Sequence, residues 1–156
     1  MLVDPGSLAT LGGAIALIGG LVGSSIGMGL AASAGAATLS EEPGQFRNVI
    51  LLASLPMTQT FYGLIVLILI ITAAVPKVPA EGGAGFAILA IGLIAGFAQF
   101  FSAIYQGIVC SSGISLLPKT KGRIFTSAIM LAVFVELLGV LGLVFTIMGI
   151  TMLGLM

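Results

Sequence analysis

Histidine is absent from the 156 residues of this chain, and cysteine occurs once, at Cys110. The absence of histidine excludes imidazole bases, Ser-His relays and zinc sites that need imidazole ligands. A single cysteine excludes an intrachain disulfide or a thiolate cluster, and its position in an apolar run is typical of a small buried hydrophobe. The chain therefore lacks the side chains for an imidazole-based site or a thiolate cluster.

Charge is also scarce. Five Lys or Arg and five Asp or Glu make up 6% of the chain, whereas apolar residues make up 59%. With so few cations there is little electrostatic attraction for nucleic acid, which we exclude as a partner. Because roughly a quarter of the residues of a soluble domain are charged, this composition predicts an integral, multi-pass membrane protein surrounded by lipid.

Breaks that contain charges and prolines divide the apolar sequence into four long segments. The segments cover residues 8–39, 49–75, 83–117 and 124–155. Each is longer than the ~20 residues that a helix needs to cross the hydrocarbon core of a bilayer. We therefore expect an all-α membrane protein of four transmembrane helices.

The basic residues predict the orientation of these helices. The first and third loops face the same side, and they hold Arg47 and the three cations of residues 118–123, whereas the second loop holds Lys77 alone. By the positive-inside rule, the loops at residues 40–48 and 118–123 are cytoplasmic and both termini lie outside. The loops contain no glycine-rich phosphate-binding motif, so any nucleotide chemistry would belong to a partner.

Glycines recur between the two halves of the chain. Three of them recur 78 positions later and a fourth recurs after a one-residue slip; the pairs are Gly29 and Gly107, Gly35 and Gly113, Gly44 and Gly122, and Gly63 and Gly142. This repetition predicts two duplicated helical hairpins, at residues 1–79 and 80–156. Because each hairpin crosses the membrane twice, the copies have the same orientation, unlike the inverted repeats of alternating-access transporters.

Small residues follow one face of the first predicted helix at every fourth position. They are Gly19, Gly23, Gly27, Ala31 and Gly35. Such a stripe allows a second backbone to approach closely. The third helix has a shorter stripe, formed by Ala103, Gly107, Ser111 and Ser115. We expect the first and third helices to pack their small faces inward, with the second and fourth helices outside.

Glu136 lies near the middle of the fourth predicted helix. An ionised side chain at this depth costs about 3 kcal/mol. No Lys, Arg or His lies within any predicted span to pair with it, so the carboxyl is either protonated or neutralised by a bound cation. An intramembrane carboxylate without a cationic partner is a functional candidate by default.

Polar side chains on two other helices are predicted at the depth of Glu136. Counted from the cytoplasmic loops, Gln59, Gln106 and Glu136 all lie about 18 to 20 Å along their helices. The same faces carry further polar residues, which are Thr58 and Tyr62 on the second helix and Gln99 and Ser102 on the third. Taken singly, Thr58, Gln99 and Ser102 are typical of interhelical hydrogen bonds.

Oxygen atoms accumulate around this one carboxyl group. Pro56 lacks an N–H and displaces a carbonyl of the preceding turn, so backbone oxygens near this level can turn toward a ligand. A hard cation without its water needs several oxygens and one compensating negative charge. The candidate ligands are Thr58, Gln59, Gln106, Glu136 and a backbone carbonyl. A site for protons alone would need just the acid, so we favour Na+ over H+.

Four motifs together carry a family resemblance. They are Leu55-Pro56-Met57-Thr58-Gln59, Tyr62-Gly63, Gln106-Gly107 and the lone Glu136. Over nearly the whole chain, this combination closely resembles the proteolipid rotor subunit of V-type ATPases, and the Pro-x-Thr-Gln element resembles the sodium-pumping bacterial branch, where the subunit is often called K. The resemblance implies a ring of identical subunits in a prokaryotic cell membrane. The ring would turn against a static membrane subunit, driven through a central stalk by a head that hydrolyses ATP, so the chain itself would not be an enzyme.

The resemblance also implies roles for individual residues. The Na+ ligands would be the Leu55 carbonyl, Thr58, Gln59, Gln106 and Glu136, and Tyr62 would bond the carboxylate. Met57 stands where the resemblance leads us to expect a glycine, and the one-residue slip places Met57 opposite Glu136. The first hairpin has then lost its acid. One carboxylate per four helices gives fewer ions per turn, hence more ATP energy per ion, which suits a pump better than a synthase.

Two other classes of protein are compatible with four helices and one buried acid. A small cation-coupled exporter that acts as a dimer would show inverted or dual topology, whereas here the basic loop residues are biased four to one and the repeat is parallel. A purely structural oligomer would use Glu136 as a packing contact. Substituting Gln for Glu136 separates these classes, because an intact ring without ion transport supports the rotor and unchanged transport eliminates it.

Overall fold

Four long helices make up most of the chain in a computed structural model, which describes residues 4–156. They are α1 (Pro5–Glu41), α2 (Pro43–Lys77), α3 (Ala84–Ser115) and α4 (Phe125–Met152). All four are long and apolar enough to cross a membrane. The predicted all-α fold of four transmembrane helices is confirmed.

The helix boundaries differ from the predicted ones, most of all at the start of α2. This helix begins at Pro43 and not at residue 49, so Arg47 lies within its first turns and the predicted loop at residues 40–48 is too long. Proline is favoured in the first turn of a helix because its missing N–H has no partner there. A boundary drawn where the apolar run begins misses such polar first turns. The start of α1 at Pro5, capped by the Asp4 carboxylate on the Ser7 N–H at 2.7 Å, is a second example.

The α3–α4 loop is tight and structured. A single helical turn, Leu117–Thr120, follows α3. Lys121 and Gly122 then take positive φ angles of 50° and 81°, and the Gly122 N–H bonds the Leu117 carbonyl at 2.9 Å. The left-handed conformation at Gly122 lets the chain reverse within a few residues.

The second helix is irregular at Pro56. The segment Leu55–Met57 is a turn of 3-10 helix, because proline cannot donate the backbone bond that a continuous α-helix needs at this position. Thr58 closes the turn by donating its N–H to the Leu55 carbonyl. A π-helical segment, Ile70–Ala74, follows nearer the end of α2.

Helices α1 and α3 run parallel and pack backbone to backbone. Gly92 lies against the backbone of Gly12, and Gly107 lies against the backbone of Gly27, so closely that a Cβ at either position would collide. Helix α2 packs against α1, and α4 packs against α3. The structure confirms the predicted packing of small faces for Gly27 and Gly107, whereas Gly35 faces Val49 of α2 and Ser115 is exposed. The division of the chain into hairpins at residues 79 and 80 stays a prediction.

Candidate ion-binding site

Glu136 lies on α4, and three helices meet at its half-buried carboxylate. The Tyr62 hydroxyl, on α2, donates a hydrogen bond to Oε1 at 2.9 Å. The Gln106 side-chain amide, on α3, donates to Oε2 at 3.2 Å. Each carboxylate oxygen therefore has one donor and keeps lone pairs for a further ligand.

Two buried glutamines connect the carboxylate to α2. Gln59 and Gln106 are both completely buried. The Gln59 Nε2 donates to Gln106 Oε1 at 2.9 Å and to Ser102 Oγ at 3.0 Å. These bonds place Gln59, Gln106 and Glu136 at one level of the bundle, which confirms the common depth that the sequence predicts.

The 3-10 turn of α2 adds a group of three neutral oxygens. The Thr58 Oγ1 lies 3.1 Å from the Leu55 carbonyl oxygen and 3.2 Å from Gln59 Oε1. The hydroxyl carries one hydrogen, so it donates to one of these acceptors at a time. The Leu55 carbonyl also accepts the Thr58 N–H, and its second lone pair faces the hydroxyl. Oxygens at such spacings are suited to surround a small hard cation once the hydroxyl hydrogen turns away.

The charge of the site limits the ligands that it can hold. Glu136 is its single ionisable acid, and the other candidate ligands are neutral. In the part of the chain that the structure describes, no group of three or more His, Cys, Asp or Glu side chains comes together. One carboxylate neutralises a monovalent cation or a proton, whereas a divalent ion would leave an uncompensated charge in the hydrocarbon region. The arrangement therefore favours a monovalent cation or a proton.

Gln99 and Ser102 join α3 to α4 without contacting the carboxylate. The Ser102 hydroxyl donates to the Val135 carbonyl at 3.0 Å, and the Gln99 amide donates to the Gly139 carbonyl at 2.9 Å. These bonds agree with the interhelical role that the sequence favours for both residues. Thr58 differs, because its hydroxyl bonds lie within α2. The acceptors Val135 and Gly139 were missed, since a backbone carbonyl carries no signal in the identity of its residue.

The chain matches a known protein family twice. Residues 11–70 and residues 89–149 each match the family of the ATP synthase C subunit. The first match falls on α1 and α2 and the second on α3 and α4, as a duplicated hairpin requires.

Two curated relatives extend this match. The chain is 36% identical over 148 residues to the A-type ATP synthase subunit K of Methanocaldococcus jannaschii, an alignment that covers 94% of this chain and 63% of that protein. It is 35% identical over 136 residues to the V-type sodium ATPase subunit K of Enterococcus hirae, covering 87% of this chain and 85% of that protein. The chain thus spans less than two thirds of the first relative and most of the second.

Proposed function

We propose that this chain, which belongs to the ATP synthase C-subunit family, is a rotor-ring subunit of a rotary V-type ATPase and carries Na+ on Glu136. The observation that supports this proposal most directly is the carboxylate itself. It lies mid-membrane and accepts hydrogen bonds from Tyr62 and Gln106. The neutral oxygens of α2 are linked to it by the hydrogen bond from Gln59 to Gln106. The site is built to accept a small cation and to lose it again.

The bound cation would be surrounded by oxygens from three helices. The Leu55 carbonyl oxygen and Gln59 Oε1 lie within 3.2 Å of Thr58 Oγ1. When the Thr58 hydroxyl hydrogen turns away from both, all three oxygens can direct a lone pair at the cation. Gln106 and Glu136 complete the ligand set. Tyr62 holds the carboxylate and is not itself a ligand.

Transport follows from the cost of charge in lipid. Glu136 enters the lipid when Na+ or H+ neutralises it, because an ionised side chain there costs about 3 kcal/mol. It gives up the ion where a cationic residue of a static membrane subunit lies opposite. Moving one charge across 100 mV costs about 2.3 kcal/mol, and rotation of the ring supplies it. The chain contributes no catalytic residue; a partner hydrolyses ATP and transmits torque through a central stalk.

Two observations support Na+ over H+ as the transported ion. The relative from Enterococcus hirae is named as a sodium ATPase subunit. The neutral oxygens of Thr58, Gln59 and Leu55 would be superfluous around a protonated acid. In a prokaryotic cell membrane, the α1–α2 turn and the α3–α4 loop would face the cytoplasm, where the ring of identical subunits would meet the stalk.

Carbodiimide labelling of Glu136 in the detergent-solubilised ring tests the proposal. We expect millimolar Na+ to slow the labelling and equal K+ to have no effect, because a bound Na+ shields the carboxyl group. Glu136→Gln, which removes the reactive group, is the control, and mass spectrometry separates label on Glu136 from label on the exposed Glu41, Glu42 and Glu81. Labelling that is indifferent to Na+ would indicate a proton site.

A further inference from the structure

Three side chains on one face of α3 donate hydrogen bonds to backbone carbonyls of α4. The bonds are Gln99 Nε2 to Gly139 O at 2.9 Å, Ser102 Oγ to Val135 O at 3.0 Å, and Gln106 Nε2 to Ala132 O at 3.4 Å. We call these three bonds the α3–α4 ladder. The donors and the acceptors both recur at intervals of three and four residues, in opposite order along the chain, so the ladder follows the contact line of two antiparallel helices.

The ladder brackets Glu136. Two of its acceptors are the carbonyls of Val135 and Gly139, which precede and follow Glu136 on α4. A helix that slides by one residue moves 1.5 Å and turns by about 100°, which would break every bond of the ladder. The backbone that carries the carboxylate is therefore fixed both along and around the axis of α4.

The burial of Gln99 does not increase the stability of the folded chain. Gln99 is completely buried, and among the described residues its Oε1 has no hydrogen-bond partner. An unpaired buried acceptor is destabilising, whereas an interhelical hydrogen bond in a membrane contributes little. An apolar side chain of similar length would avoid the unpaired oxygen. The contact with α4 is close, since a Cβ at Gly139 would come within 2.9 Å of Gln99 Oε1.

We infer that Gln99 and Ser102 are positioning residues, which hold α4 still so that Glu136 exchanges its cation by side-chain motion alone. This inference rests on the proposed function, since it assigns a purpose to the ladder at the same carboxylate. Neither residue contacts the carboxylate. Their effect on cation binding is transmitted through the backbone of α4 and through the bond from Gln59 to Ser102 Oγ.

The first measurement is the Na+ concentration that half-protects Glu136 from carbodiimide in the purified ring. We expect Gln99→Met to raise this concentration about threefold, the factor that corresponds to one interhelical membrane hydrogen bond of average strength. Ser102→Ala provides a second, independent variant and should raise it further, because Ser102 also accepts the bond from Gln59. Thr146→Val is the matched control. It removes a buried hydroxyl that bonds Gly142 within α4 at 2.8 Å, and it should leave the concentration unchanged.

The second measurement does not depend on Na+. Amide hydrogen exchange over residues 132–139 should rise in Gln99→Met and in Ser102→Ala but not in Thr146→Val. If Na+ does not change the labelling of the wild type, the sodium proposal fails. The role of the α3–α4 ladder is then tested by amide exchange and by the pH dependence of labelling. A Gln99→Met ring with wild-type protection by Na+ and wild-type exchange in α4 would overturn the inference.

Discussion

The two hairpins have the same plan but attach their second helix to their first in different ways. In the second hairpin, polar side chains of α3, Ser102 among them, bond the carbonyls of α4. In the first hairpin, Ser24 lies at the position equivalent to Ser102, yet its buried hydroxyl has no partner among the described residues. Helix α2 is held by close backbone contacts, such as those of Gly20 with Gln59 and of Gly63 with Ala16. In the part of the chain that the structure describes, its one hydrogen bond to α1 runs the other way, from the Thr60 hydroxyl of the second helix to the Gly20 carbonyl of the first, at 3.2 Å.

The difference extends to the position of the acid. The alignment of the halves puts Met57 opposite Glu136 and Met28 opposite Gln106. Met57 is 42% exposed, whereas Glu136 is half-buried and receives two hydrogen bonds. Helix α2 contributes Tyr62 directly to the carboxylate of the other hairpin, and Gln59 reaches it through Gln106. The two halves of the chain therefore share a single carboxylate, which receives hydrogen bonds from both.

The largest test of this asymmetry changes the residues at the two equivalent positions. Glu136→Gln should reduce ATP-driven Na+ uptake into proteoliposomes about a hundredfold or more, since a bound cation without its negative charge costs about 3 kcal/mol. Met57→Leu is the control and should transport Na+ like the wild type. Wild-type uptake by the Glu136→Gln ring would remove the carboxylate from the mechanism and the asymmetry with it.

A smaller effect is expected one layer away, at Gln106 and Met28. Gln106→Leu removes a donor to the carboxylate, and a hydrogen bond to a charged group contributes about 1.5 to 3 kcal/mol. The Na+ concentration that half-protects Glu136 from carbodiimide should rise about tenfold or more. Met28→Leu should change it less than twofold. Equal effects of the two substitutions would contradict the asymmetry between the two hairpins.

The smallest effect concerns Ser24 and Ser102, and it should differ in sign. Ser24→Ala removes an unpaired buried hydroxyl and should stabilise the ring by about 1 kcal/mol, whereas Ser102→Ala removes two hydrogen bonds and should destabilise it by a similar amount. Thermal denaturation of the detergent-solubilised ring, followed by circular dichroism, measures both. Destabilisation by Ser24→Ala would reveal a partner for its hydroxyl, such as a neighbouring copy in the ring.

Much of this architecture is predictable from the sequence, because hydrocarbon thickness and charge leave few alternatives. Four spans follow from the length of the apolar runs, and the close α1–α3 packing follows from small residues such as Gly27 and Gly107. Counting from the loops also places Gln59 and Gln106 at the depth of Glu136. The identity of the ion ligands stays a prediction.

Other features depend on backbone geometry, which residue identities do not encode. The acceptors Val135 and Gly139 are carbonyls that any residue could supply, so nothing in the sequence distinguishes them. The start of α2 at Pro43 was missed because polar first turns do not interrupt a helix. That Leu55 and Thr58 bond each other depends on the local 3-10 turn, which Pro56 makes possible but does not alone specify.

The backbone contact between α1 and α3 also determines where this chain is free to diverge between lineages. Gly12, Gly92, Gly27 and Gly107 leave no volume for even a methyl group, so these positions are closed to substitution. Within one copy of the chain, by contrast, no atom lies within 4 Å of a Cβ placed at Gly29. Adaptation to membranes of other thickness or lipid content is therefore restricted to α2, to α4 and to the faces of α1 and α3 that point away from this contact, such as those of Ile18 and Phe97.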